Sequence, residues 1–348
     1  MNKSISFFLY LAILACIFRP VSGQTQAFNL SANQKQGVSQ SPQPRQEPSR
    51  LFPIVQNGQW GYIDSAGKIV IRPQFDDALG FSDNGLALIR IGTKWGYINR
   101  RGQMIIPPQF NATLGFSEGL AAVRIDDKWG FINQTGKIVI QPQFEGTMGF
   151  SEGMALVRLN KKWGFIDKTG KVVIPAQFDS TIGFSEGLAA VKVGEKWGFI
   201  DKTGKMIVEP QFDTTLGFSE GMAAVWKGEE VGYIDRTGKI VIPIQFNGAG
   251  DFSEGLALAR MGDKTGFIDK TGKMVIPPQF SLTWGFSEGL AAVRVNDKWG
   301  FIDKTGKMAI QPQFDGTFAF SEGLALVKIG NKIGYIDKTG NFVWSSTN

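Results

Sequence analysis

Seven glutamates recur in one slot of this chain: Glu118, Glu152, Glu186, Glu220, Glu254, Glu288 and Glu322 each sit in a Ser-Glu-Gly tripeptide. Two carboxylates about 5 to 9.5 Å apart can hydrolyse a glycosidic bond, one as acid and the other as base or nucleophile. A catalytic pair is unique in its surroundings, whereas these acids are reiterated, so each is expected to cap or hydrogen-bond a loop amide beside its glycine. Calcium favours oxygen ligands in number, and one carboxylate per loop is a sparse donor set. The chain has no histidine, which removes Ser-His-Asp and Cys-His nucleophile systems and histidine-ligated zinc or haem. No glycine spacing makes a phosphate loop. The expectation is a protein without a cofactor, a metal or a catalytic residue.

The aromatic residues are the next chemistry-bearing set. Trp-Gly recurs at Trp60, Trp95, Trp129, Trp163, Trp197 and Trp299, and Val231, Thr265 and Ile333 fill the same slot elsewhere. The first spacing is 35 residues and every later one is 34, the signature of a repeat architecture. These indoles read as a structural set buried between repeats rather than a sugar-stacking stripe, because Val231 and Ile333 fill space but do not stack on a sugar as an indole does. Trp284 takes the slot of Leu114, Met148, Ile182 and Phe318 and reads as an enlarged core residue. Trp226 replaces the basic residues of the slot held by Arg124, Arg158, Lys192, Arg260 and Arg294. That slot is solvated by pattern, and Trp226 with its basic neighbours is the candidate partner-binding surface.

The elements that carry these residues follow from one unit, Ser117 to Phe150. Leu120 to Ile125 is a β-prone run (strand A), Asp126-Asp127-Lys128 turns the chain, and Trp129 to Ile132 is strand B. Asn133-Gln134-Thr135-Gly136 suits a type I turn followed by a left-handed glycine bulge, and Lys137 to Ile140 is strand C. Pro142 ends that strand or lies on an edge. Glycine and proline punctuate too often for a helix. The expected fold is all-β: a tandem array of about nine three-stranded antiparallel meanders. Both faces of each meander are apolar and need cover from the adjacent unit. An open or incompletely closed propeller-like spiral satisfies this, and a closed β-propeller is the alternative. Each terminal unit holds its own A, B and C strands, and Pro53 interrupts the first.

The run Lys196-Trp197-Gly198-Phe199-Ile200-Asp201-Lys202-Thr203-Gly204-Lys205, with Pro210-Gln211-Phe212 and Phe218-Ser219-Glu220-Gly221 behind it, resembles the bacterial WG (KWG) repeat family over residues 51 to 344. The resemblance implies a bacterial, often exported protein with no family catalytic residues to carry over. Val231, Thr265 and Ile333 depart from the family tryptophan.

Outside the array, residues 1–23 read as a signal peptide: Lys3, the apolar run Ile5 to Phe18, and small residues at Val21-Ser22-Gly23. Ile13-Leu14-Ala15-Cys16 resembles a lipobox, so membrane association would follow only from an uncleaved or lipidated N-terminus. Residues 24–50, rich in Gln, Ser and Pro, read as a disordered linker, and 51–348 as the array. The array carries a net charge of only +2, with 32 basic and 30 acidic residues, which does not support phosphate tracking, and no nucleic acid is expected. The expected function is a non-enzymatic, exported binding or scaffold module for an envelope protein or a surface glycan, periplasmic, cell-surface or secreted. A structural spacer or sensor ectodomain is the alternative, and a polysaccharide hydrolase is a more distant one.

Overall fold

The hairpin signals of each unit form as their residue types dictate. In the Asp167-Lys168-Thr169-Gly170 turn, the Gly170 amide donates to the Asp167 carbonyl at 3.0 Å, and Gly170 takes φ +88°. The Asp167 carboxylate accepts from the Thr169 and Lys171 amides at 2.9 and 3.1 Å. This is an Asx-capped type I turn with a left-handed glycine bulge. The Ser-Glu-Gly turn differs. Glu186 and Gly187 both have positive φ, 54° and 80°, and Ser185 and Leu188 exchange both backbone hydrogen bonds, which defines a two-residue type I′ hairpin.

The computed structural model describes residues 50–346, so the signal peptide and nearly all of the linker lie outside the described residues. Among those described there are nine antiparallel sheets and no helix. They are numbered here from the N-terminus. Sheet 4 is representative, with strands Gly146–Ser151, Met154–Leu159, Lys162–Asp167 and Val172–Phe178 in that order. The last three are strands A, B and C. The first is an addition to the expected meander: a short strand, made by the segment after Pro-Gln-Phe, lies beside strand A in sheets 2 to 9. A threonine hydroxyl stitches it in place, as where Thr147 Oγ1 donates to the Leu156 carbonyl at 2.6 Å. In sheets 3 and 4 the two added strands approach each other, whereas strand C is the most solvent-exposed. The added strand is therefore innermost and strand C is the outer edge, where Pro142 sits within Ile138–Phe144.

Strand A is buried on both faces, as Met154 to Val157 show, and each face meets an adjacent sheet. Nine hydrophobic clusters fill nine seams. At the centre of eight seams a strand B aromatic meets a phenylalanine of the next sheet, within the added strand in sheets 2 to 4 and just after it in sheets 5 to 9, with ring centroids 4.8–5.0 Å apart, as in Phe131–Phe150 and Phe165–Phe184. Each such pair adds about 0.5–1.5 kcal/mol beyond the area it buries.

The ninth seam joins sheet 9 to sheet 1, so the array is a ring: a nine-bladed β-propeller in which no sheet is closed by hydrogen bonds between the termini. Both terminal units keep their own A, B and C strands, as the sequence indicates. Sheet 1 has only Phe52–Gln56, Gln59–Ile63 and Ile69–Phe75, without an innermost strand. Phe52 occupies a strand A position that is alanine in every other sheet, from Ala87 to Ala325. Its ring lies 5.4 Å from Tyr335, in place of the missing phenylalanine. The Tyr335 hydroxyl, its pKa raised by burial, donates to the Pro53 carbonyl at 2.9 Å. Elsewhere the equivalent tyrosine donates to the innermost strand, as Tyr62 does to Leu79.

Candidate functional site

Two rims remain, one at the Ser-Glu-Gly end and one at the A/B hairpins. The recurrent glutamates tie neighbouring sheets together. Glu152 Oε2 accepts from the Gly187 amide at 2.9 Å and pairs with Lys202 Nζ at 3.1 Å, both in the next sheet. The same clip runs from Glu118 to Gly153 and Lys168, from Glu220 to Gly255 and Lys270, from Glu254 to Gly289 and Lys304, and from Glu288 to Gly323 and Lys338. Glu186 reaches Gly221, and Arg236 donates to the Glu186 carbonyl. Six of the seven glutamates therefore bind a loop amide as expected, but the amide belongs to the next sheet. This use also accounts for a glutamate at positive φ, where asparagine or glycine is easier. Glu322 is exposed, and the sheet after it has Arg50 and Ser65 where the sheets after the other glutamates have glycine and lysine or arginine. Glu220→Ala is expected to lower stability by about 1 kcal/mol, with Glu322→Ala near zero, as checked by paired urea midpoints.

The turn aspartates titrate accordingly. The Thr169 hydroxyl, then the Thr169 and Lys171 amides, hold the Asp167 carboxyl below its usual 3.8, and the same turn acts on Asp201, Asp235, Asp269, Asp303 and Asp337. A carboxyl lowered in the folded state stabilises fully above its unfolded value and loses that contribution as pH falls through the folded one. Urea midpoints are expected to stay flat from about pH 7 to 5 and to fall below about pH 4. A midpoint unchanged at pH 3 would contradict this.

At the hairpin rim, Lys162 Nζ reaches Asp179 of the following sheet at 2.5 Å, and Lys196–Asp213 and Lys298–Asp315 repeat the contact. The Trp-Gly tryptophans lie on this side of the seams. Trp60, Trp95, Trp129, Trp163 and Trp197 are half-buried and packed against their clusters, while Trp299 is 9 % exposed. Thus the seam centres belong to the phenylalanine and tyrosine pairs, and the indoles lie beside them. Each indole shares a cross-strand row with the basic slot: Arg124↔Trp129, Arg158↔Trp163, Lys192↔Trp197, Arg294↔Trp299 and Arg260↔Thr265. The slot is not a free cationic surface. Arg124 pairs with Asp127 at 2.6 Å, Lys192 with Glu195 at 3.6 Å and Arg294 with Asp297 at 3.0 Å, and Arg260 donates to the Asn247 carbonyl at 3.0 Å.

Trp226 lies directly across from Val231, the residue that replaces the Trp-Gly tryptophan in its own sheet, and packs against the buried cluster there. The indole has moved one strand over in the same row. The candidate surface of Trp226 with the basic slot is therefore one row of each sheet, carried around the ring rather than gathered in one cleft. Trp284 is a correction to the sequence reading: it is 42 % exposed, not core. It stacks on Trp299 at 6.1 Å and 12°, and its Nε1 donates to the Thr317 carbonyl of the next sheet at 3.1 Å. An innermost strand has an open flank, so an enlarged residue there covers its neighbour instead of filling an interior.

Nine like sheets in a ring, each supplied by one repeat, define a repeat β-propeller. The family described as WG containing repeat matches residues 60–95, 95–129, 129–163, 163–197, 197–229, 232–264, 266–299 and 299–332, and the chain belongs to it. A search of curated proteins found no match. Among solved structures, the chain is similar to a eukaryotic initiation factor, with a TM-score of 0.62 and 12 % identity over 85 % of this chain and 95 % of that one. It is also similar to the dihydro-heme d1 dehydrogenase NirN, with a TM-score of 0.46 and 13 % identity over 78 % and 74 %. The extracellular domain of the putative hybrid two component system BT4673 from B. thetaiotaomicron gives 0.37 and 11 % over 86 % and 60 %. At such identities the first likeness reports the fold, and the other two carry no weight for function. Among the described residues no helix is long and apolar enough to cross a membrane.

Proposed function

We propose that this chain is an exported, non-enzymatic binding module that presents the hairpin rim of its ring to a glycan or protein of the cell envelope. One contrast carries the reading. The reiterated glutamates, aspartates and lysines are engaged in clips between sheets and in turn caps, while the indoles of five successive sheets are only half-buried at one rim. Side chains tied into the frame are poorly placed for proton transfer, whereas repeated shallow contacts suit avidity. The near-neutral array argues against a polyanionic partner. The test is capture by the immobilised full chain of envelope proteins and of a polysaccharide panel. Specific, saturable capture of a component of either kind is the expected result. Release of reducing ends from any polysaccharide would overturn the reading.

A further inference from the structure

The chain's own substitutions separate what the Trp-Gly tryptophan does for the fold from what it is free to do besides. Val231 and Thr265 stand in its slot at 0 % and 5 % exposure, and Ile333 also occupies it, yet sheets 6, 7 and 9 keep the A/B pairing of the others. The sheet 7 seam therefore closes without an indole, while Trp226 and Trp344 pack against the clusters of sheets 6 and 9. In sheets 1 to 5 the indole is present in five consecutive seams and remains partly uncovered.

The innermost strand decides the covering. An alanine, glycine or serine stands in the tryptophan's row at Ala112, Gly146 and Ser180. The Trp163 ring reaches across its sheet to that position, with Cη2 3.4 Å from where a Cβ on Gly146 would lie. In sheet 8 the same position is Leu282, and Trp284 stacks on the indole, which brings Trp299 down to 9 % exposure. Beside the half-buried indoles stand paired charges, Arg124–Asp127 in sheet 3 and Lys192–Glu195 in sheet 5, whereas in sheet 2 the Arg90 guanidinium, paired with Asp77 at 3.5 Å, lies over the Trp95 ring, 5.8 Å from its centroid. Such pairs supply donors and acceptors together while adding no net charge.

We propose that the half-buried indoles of sheets 3 to 5 form successive stacking platforms for a neutral polysaccharide. The proposal rests on the binding-module reading and names its ligand class. The negative face of an indole attracts the polarised C–H bonds of a pyranose face. Cation–carboxylate pairs hydrogen-bond neighbouring hydroxyls and give no advantage to an anionic chain. One platform per sheet, repeated around an arc, matches a polymer of like units better than a single folded epitope, and several weak contacts add through effective concentration.

The test is affinity electrophoresis of the full chain in gels containing laminarin, hydroxyethylcellulose, dextran, mannan or xylan. The variants are Trp129→Ile with Trp163→Ile, and the same pair changed to Phe. Isoleucine is chosen because Ile333 already occupies this slot, and circular dichroism confirms that the variants are folded. At least one polysaccharide is expected to retard the wild type. The isoleucine pair should weaken that binding by about ten-fold or more, and the phenylalanine pair less. Equal retardation of the isoleucine pair and the wild type would remove the indole arc as the site while leaving a glycan binder. Retardation by none of the five, with saturable capture of an envelope protein, would end the glycan proposal and leave the binding module standing. Capture of nothing at all would end both.

Discussion

Gly130→Ala is expected to destabilise the ring by about 3 kcal/mol or more, far beyond any change at Trp129. A Cβ at position 130 would lie 2.5 Å from the Ile140 carbonyl oxygen and 2.7 Å from the Pro142 nitrogen, both backbone atoms that cannot rotate away. The cause is the register shift between strands B and C on either side of Gly130, which lays strand C directly on the glycine. All nine units have glycine here, at positions 61, 96, 130, 164, 198, 232, 266, 300 and 334, while the preceding residue varies among Trp, Val, Thr and Ile. Trp129→Ile, by contrast, is expected to cost less than about 1.5 kcal/mol as an apolar replacement the seam already tolerates. Urea unfolding followed by circular dichroism compares the two directly, and equal losses would refute the argument. In the Trp-Gly motif the glycine carries the fold.

Phe52→Ala is expected to cost about 3 kcal/mol or more by emptying the join between sheets 9 and 1. The variant gives sheet 1 the residue that all other sheets have at this position, so strand A itself loses nothing. What disappears is the ring packed on Tyr335, in the seam that has five buried apolar residues where its neighbours have eight to ten. Tyr335→Phe, which removes only the hydrogen bond to Pro53, should cost about 1 kcal/mol. Limited proteolysis offers a second readout, since cleavage of the Phe52 variant should begin in sheet 1 or sheet 9. Cleavage beginning in sheet 5 would contradict the account.

Much of the frame is legible in the residues, because a unit that repeats exposes its own turn chemistry. Asp-Lys-Thr-Gly reveals the bulged turn, and Leu188-Ala189-Ala190-Val191 reveals a strand buried on both faces. The innermost strand is not legible. Glycine interrupts it, as at Gly149, and in sheets 5 to 9 it pairs for only two residues, so it carries no alternation of its own. The clips are hidden for another reason. Glu152 and Gly187 stand 35 residues apart, and in a chain where position i+34 repeats position i, no pattern separates a bond within a sheet from one to the next. Trp226 and Phe52 carry the most informative signals, because each departs from its slot where a neighbour is lost: the indole that Val231 replaces in one case, an entire strand in the other.

That each blade is drawn from one uninterrupted stretch of chain also governs how the molecule assembles. Nearly every pairing is local, so blades can form in succession along the polypeptide with little loop-closure entropy. The exception is the Tyr335–Pro53 contact, which spans 282 residues. Closing the circle is therefore the one event with high contact order, and it is expected to set the slowest phase of refolding.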